Sequence, residues 1–285
     1  EENSYPRWIN TVTFTESLTV SQLLKDLGLK NAEEIRIDRP KILIAGCGTG
    51  RHAVLTSSRF TGSRVTAFDL SINSVGYAKL KSQEFGINGI RYMHGDLLNI
   101  GELGEKFDIV ESVGVLHHMD KPIEGLIALK EVLKTGGLMR LALYSESARA
   151  GVIQARKLIE TKYSKGSIED RIRSFRQGII NGDNIAEQNL KYVTKWGDFY
   201  SMSECRDLFF HEKEHRFTIP KIKEMLVQFD LMFLGFEFNH GEILKKFLNK
   251  YSDSSLYSLD KWHQFELANP DTFIGMYQFW VRKMG

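Results

Sequence analysis

Ile42-Leu43-Ile44-Ala45-Gly46-Cys47-Gly48-Thr49-Gly50 sets a run of four apolar residues against three alternating glycines. The run predicts a buried strand. The glycines predict a turn so tight, and so close to a ligand, that side chains would obstruct it and backbone N–H groups are left bare. A nucleotide-type cofactor site is one reading, and a purely structural glycine junction is the other.

The residues beyond the loop favour the first. Arg64-Val65-Thr66-Ala67-Phe68-Asp69 reads as a second apolar strand whose terminal carboxylate lies nineteen positions past Gly50. In an open α/β sheet the carboxyl ends of neighbouring parallel strands meet at one crevice. An acid there can accept two hydrogen bonds from a ribose diol. Asp69 could instead serve as a helix cap for the segment that begins near Ser71. A third strand, Ile90-Arg91-Tyr92-Met93-His94, runs into Gly95-Asp96-Leu97 and puts Asp96 where it could accept from an adenine amino group. The dinucleotide fingerprint requires a further glycine after one more spacer, but Arg51 follows Gly50 directly, and that class is set aside.

Taken in order from Lys41 to Tyr144, the chain resembles the class I S-adenosylmethionine-dependent methyltransferases. The resemblance rests on Gly46-Cys47-Gly48-Thr49-Gly50, Asp69, Gly95-Asp96-Leu97, Phe107-Asp108-Ile109-Val110, Gly114-Val115-Leu116-His117-His118 and Leu133-Lys134-Thr135-Gly136-Gly137. It implies S-adenosylmethionine as cofactor, with Gly46, Cys47, Gly48, Thr49, Gly50, Asp69, Leu70, Asp96 and Leu97 around it. It also implies an α/β, Rossmann-like, mostly parallel sheet of seven strands in the order 3-2-1-4-5-7-6, with the seventh antiparallel. One departure is marked. Many members carry an acid two residues before the first glycine, where this chain has Ile44; the methionyl amino group then needs another partner, with backbone carbonyls or Glu111 as candidates.

Composition fits one α/β domain with elaborations: 285 residues, 42% hydrophobic and 26% charged. With 38 basic against 36 acidic residues there is no polyanion footprint, so nucleic acid is not indicated. No apolar run approaches the roughly 18 residues of a membrane span. No leader is evident, and two cysteines far apart suggest a reduced protein, so a cytoplasmic location is expected. The chain opens on Glu1, and an upstream segment is expected. The stretch Cys205-Arg206-Asp207-Leu208-Phe209-Phe210-His211 with Glu214-His215-Arg216 is similar to methyltransferase modules that follow tetratricopeptide repeats, which makes such repeats a possible partner of this chain.

Four regions are expected: an N-terminal extension or flap over 1–39, with Tyr5 and Trp8 reaching the cofactor; a cofactor-binding core over 40–145; a substrate-covering helical insertion over 146–230; and C-terminal strands over 231–285. Lys121–Leu133 reads as a sheet-covering helix with Ile123, Leu126, Ile127, Leu129 and Leu133 largely on one face.

Methyl transfer from a sulfonium needs alignment and exclusion of water rather than a metal. An amine or hydroxyl acceptor must also lose a proton, which His117 or His118 could take. Tyr144, at the end of the fifth strand, is a further acceptor-side candidate. The insertion contributes Tyr200, Arg206, His211 and Arg216 as acceptor-side candidates, and helical spacing would align Asp207, His211 and His215. A solvated helix face explains the same residues. His211-Glu212-Lys213-Glu214-His215 matches the zinc-protease pattern but lacks a third ligand at suitable spacing, so no metal is expected. Basic residues between Arg149 and Arg176 outnumber acidic ones, as either a substrate-orienting or a merely solvated surface. The expected activity is methyl transfer to a small polar metabolite or an exposed side chain. The alternatives are a protein methyltransferase recruited by upstream repeats, and a regulatory module that binds cofactor without turnover.

Overall fold

The structure is a computed structural model that describes Trp8, Asn10 and residues 13–182, 190–210, 214–238 and 241–285, with backbone alone at 191, 192, 195 and 203. Tyr5, His211 and His240 lie outside the described residues.

Strand periodicity sorts the central side chains between two faces. Ile42 and Ile44 of β1 (Lys41–Ala45) join an apolar cluster with Ile109, Leu138, Trp280 and Leu24, whereas Leu43 and Ala45 join the opposite one with Val110, Met139 and Leu141. Both faces are therefore covered, as near-continuous apolar strands require. The first face carries α1 (Val20–Asp26) and α2 (Arg51–Arg59); the second carries α4 (Pro122–Val132), α8 (Ile219–Gln228) and α10 (Leu259–Ala268).

The remaining strands are β2 (Arg64–Asp69), β3 (Ile90–His94), β4 (Phe107–Val113), β5 (Leu133–Tyr144), β6 (Leu231–Phe236) and β7 (Met276–Lys283). Their order is β3-β2-β1-β4-β5-β7-β6. Strands β1 to β5 pair in parallel, and β7 runs antiparallel to both β5 and β6. This is the Rossmann-like sheet that the resemblance implied.

Two local expectations are corrected. β5 begins at Leu133, which the sequence assigns to the sheet-covering helix: Phe107 pairs with Leu133 but Ile109 with Leu138, so Lys134–Gly137 bulge outward. Lys134 Nζ reaches Asp108 Oδ1 at 2.7 Å, and Asp108 Oδ2 accepts from Lys41 N at 2.9 Å, which ties the bulge to the start of β1. On α4 the buried stripe is Gly125, Leu126, Ala128, Leu129 and Val132, while Ile123 and Ile127 are partly exposed. The helix is rotated because Gly125 lets Leu116 and Met119 approach; a Cβ there would lie 2.4 Å from Met119 Sδ.

After β5, α5 (Ala150–Lys162), α6 (Ile168–Ile180) and α7 (Met202–Phe210) enclose an apolar cluster of their own around Val152, Ile172, Phe175, Phe199 and Phe209. The chain then returns along the sheet: Phe217 N donates to Tyr144 O at 2.9 Å and His215 N to His117 O at 2.7 Å. α8 packs into the main core, so the satellite core is built from residues before this return.

Candidate functional site

Gly46 and Gly50 show why the loop after β1 needs glycine. Gly46 has φ +78° and a Cβ there would meet Val115 Cγ2 at 2.1 Å; Gly50 has φ +88°, caps α2, and a Cβ would meet Ala78 Cβ at 2.5 Å. Asp69, at the tip of β2, accepts from Gly48 N at 2.6 Å and from Ser71 N at 2.9 Å, so it braces the loop. The cap of α3 (Ile72–Glu84) is Ser71, whose hydroxyl accepts from Ser74 N; the helix-cap reading of Asp69 is thereby removed. Asp96 accepts from Leu98 N at 2.9 Å and opens a short 3-10 helix.

Gly46, Cys47, Gly48, Thr49, Asp69, Leu70, Asp96 and Leu97 all line one cavity of about 1870 Å³. Leu70 is 69% exposed and Leu98, another wall residue, 45%, so two apolar side chains stand uncovered beside the two acids. The wall is thus suited to a flat, apolar-faced ring with polar edges. Burial, with the charge of Asp69 adding to it, pushes the Cys47 thiol up to about 12 and leaves it an inert wall group.

Trp8 is buried but is absent from the cavity wall: its Nε1 donates to Thr49 O at 2.9 Å, Tyr77 Oη donates to its carbonyl at 3.1 Å, and it stacks on Phe85 at 5.5 Å. It props the glycine loop from outside, between the loop and α3.

The cavity continues into a chamber walled by His118, Tyr144, Arg149, Trp196, Asp198, Asp207, Leu208 and Phe273. Tyr144 is held on both faces. The His117 ring stacks on it at 3.6 Å, and the Arg149 guanidinium lies over it at 3.8 Å. His117 is fully buried and its Nδ1 accepts from Tyr144 N at 3.2 Å, so it points inward and His118 is the member of the pair on the wall. Burial pushes the Tyr144 phenol up to about 12, with Arg149 opposing and Asp207 and Glu214 reinforcing the shift.

Glu214 organises this side. Its carboxylate accepts from Arg149 through Nε at 3.2 Å and through Nη2, and from Arg156 Nη2 at 2.8 Å, with Arg216 Nη1 3.7 Å away. Burial raises its pKa, but the three guanidiniums outweigh that and hold it below the ordinary carboxylate range.

The other insertion candidates stand elsewhere. Tyr200 is 56% exposed and donates to Thr194 O at 3.1 Å. Arg206 is half exposed, 3.9 Å from Glu169, and Arg216 turns to Glu214; none of the three lines the cavity. Neighbours on a helix point about 100° apart, so α7 turns Arg206 outward while Asp207 and Leu208 face the chamber. α7 ends at Phe210 and Glu214–His215 are not helical, so the four-residue spacing does not align Asp207 with His215 or form a zinc-protease helix. Among the described residues no group of three potential metal ligands converges.

Glu111 is likewise fully buried and off the cavity wall. Its Oε2 lies 2.5 Å from His52 Nε2 and 3.6 Å from Arg140 Nη1. His52 and Arg140 do line the cavity, and the sequence reading singled out neither; nor did it assign Arg149, Trp196 or Asp207 to the wall. Asp207 had been signalled by its i+4 spacing and Arg149 by the basic run that it opens; His52 and Arg140 carried no such signal.

With this geometry in place, comparison with known proteins is informative. Residues 42–137 match the family described as "Methyltransferase domain". An uncharacterized protein of a Synechococcus species is 28% identical over 83% of this chain and 59% of its own length. The ubiquinone biosynthesis O-methyltransferase of Roseobacter denitrificans is 29% identical over 59% of this chain and 57% of its own. The structure of PKMT2 from Rickettsia typhi in complex with AdoHcy superposes with a TM-score of 0.70 at 16% identity, covering 96% of this chain and 54% of that one. The chain therefore spans a little over half the length of these relatives. Residues 42–137 are thus similar to a methyltransferase domain, and the seven-stranded fold is shared with the Rickettsia structure. Among the described residues no helix is long and apolar enough to cross a membrane.

Proposed function

We propose that this chain transfers a methyl group from S-adenosylmethionine to a small polar metabolite or an exposed side chain seated between His118 and Tyr144 below and Trp196, Asp198 and Asp207 above. One observation carries the reading: a single cavity joins the glycine loop and the two acid-tipped strand ends to that chamber. The residues fit the cofactor. Asp69 would hold the ribose diol, Asp96 the adenine edge, and the exposed side chains of Leu70 and Leu98 would cover the purine faces. When bound, the cofactor supplies a methyl group already activated on a sulfonium.

The chain's own task is on the acceptor. His118 receives the proton that an amine or hydroxyl must lose as its atom is methylated. Tyr144, protonated at neutral pH, donates a hydrogen bond and cannot act as the base. The insertion walls the chamber through Ala148–Val152 and Trp196–Asp198 and so limits the water around the reacting atoms. The names of several relatives favour an oxygen acceptor. An exposed Ile274 on the cavity rim, 78% accessible, favours the second reading, an acceptor side chain presented by a protein, delivered by tetratricopeptide repeats where a longer chain carries them. Two buried free thiols, Cys47 and Cys205, suit a cytoplasmic enzyme.

Labelled methyl transfer from S-adenosylmethionine, run against a metabolite extract beside a protein extract, tests the proposal. Label in small molecules supports the first reading and label in protein the second. No transfer to either, with cofactor bound, leaves a binding module.

A further inference from the structure

The methionyl end of the donor lacks its usual acid, because β1 carries Ile44 at that rung. On the neighbouring strand Glu111 is paired in register with Ile44, and side chains paired in register share one face of a sheet. Glu111 is fully buried. Its Oε2 is engaged by His52 Nε2 at 2.5 Å and Thr56 Oγ1 at 3.4 Å, while its Oε1 has no hydrogen-bond partner. Arg140 does not neutralise it alone. Arg140 Nε and Nη2 fork onto both oxygens of Glu237 at 2.7 and 3.0 Å, and Nη2 also reaches Gln278 Oε1 at 3.0 Å. Within hydrogen-bonding reach the network holds two carboxylates and one guanidinium, and His52 and Arg140 are its members on the wall of the cavity beside the glycine loop.

We propose that His52, oriented by Glu111, receives the α-amino group of the donor and so takes over from the acid that β1 lacks. The inference rests on the donor reading above. Nε2 faces Glu111, with Arg140 Nη1 3.4 Å away, so Nδ1 is the ring atom left for the cavity. A ring that donates Nε2–H to the carboxylate presents a lone pair at Nδ1 to accept from an ammonium, and Glu111 supplies the opposing charge from behind. Arg51 and Arg59, which line the same cavity from α2, provide the counter-charge for the donor's carboxylate. His52 is thus a binding residue and Glu111 a positioning residue.

Calorimetry with two ligands tests this on the full chain. S-adenosylhomocysteine carries the amino-acid end; 5′-methylthioadenosine keeps the same nucleoside thioether without it. Glu111→Gln and His52→Leu should each weaken S-adenosylhomocysteine by tenfold or more and leave methylthioadenosine within about twofold. Equal losses on both ligands would mean that the pair merely shapes the glycine loop, and the inference fails. His52→Gln, at a partly exposed position in the first turn of α2, gives the same comparison should Glu111→Gln fail to fold. If the unmodified chain binds neither ligand, it is the donor reading that fails, and the inference falls with it.

Discussion

The guanidinium of Arg149 lies over the ring of Tyr144, 3.8 Å from its centroid, while Glu214 holds that guanidinium through two of its nitrogens. One buried carboxylate therefore fixes both an acceptor-side ring and the return of the chain from the insertion. Glu214→Leu would remove the carboxylate that Arg149, Arg156 and Arg216 share. Breaking a buried pair in this way costs about 3–5 kcal/mol. Urea denaturation should show a loss of that order.

Arg206 provides the contrast. Its partner Glu169 is 3.9 Å away and both are half exposed, a geometry worth less than about 1 kcal/mol. Arg206→Ala should leave stability, donor affinity and turnover close to the unmodified chain, whereas Asp207→Ala should lower turnover at least tenfold with donor affinity within a few-fold. Steady-state kinetics beside calorimetry separates the two, and a large effect of Arg206→Ala would move the acceptor site to the outer face of α7.

The fold was legible because it is written in local periods. Ile42 to Ala45 show their burial in a continuous apolar run, and Gly46, Gly48 and Gly50 announce their turn. Asp69 and Asp96 follow from being next to strand ends. The chamber was harder to read because its contacts are far apart in sequence: His52 meets Glu111 across 59 positions and Arg149 meets Glu214 across 65. The sign of a single helical rotation also mattered. Arg206 and Asp207 are adjacent in sequence, and only the packing of α7 on its satellite core decides which one faces the cavity.

Acid should uncover the His52–Glu111 pair. Burial raises the pKa of Glu111, but the hydrogen bond with His52 and the charges of Arg140 and Arg59 oppose it and hold it below the ordinary carboxylate range. A depressed carboxylate contributes stability that is fully present above its unfolded pKa, near 4.3, and is lost as pH falls through the folded value. Unfolding free energy should fall as pH drops below about 5, and the fall should be shallower in Glu111→Gln. An identical slope in the two proteins would show that Glu111 is not charged in the folded state.

Gly50→Ala tests the loop itself. A side chain at φ +88° and 2.5 Å from Ala78 Cβ forces the start of α2 away from α3. Backbone strain alone should cost about 1–3 kcal/mol. Donor binding should be lost while the far-ultraviolet circular dichroism spectrum is retained.

The most direct test of the account is the affinity of S-adenosylhomocysteine for the unmodified chain and for Asp69→Ala, measured by calorimetry with NAD as a competitor. Asp69 braces Gly48 and in the proposed reading accepts from the ribose diol, and hydrogen bonds to a charged group contribute about 1.5–3 kcal/mol each. The expected result is binding that NAD does not displace and that Asp69→Ala weakens at least tenfold. Tight NAD binding with no S-adenosylhomocysteine binding would contradict the account.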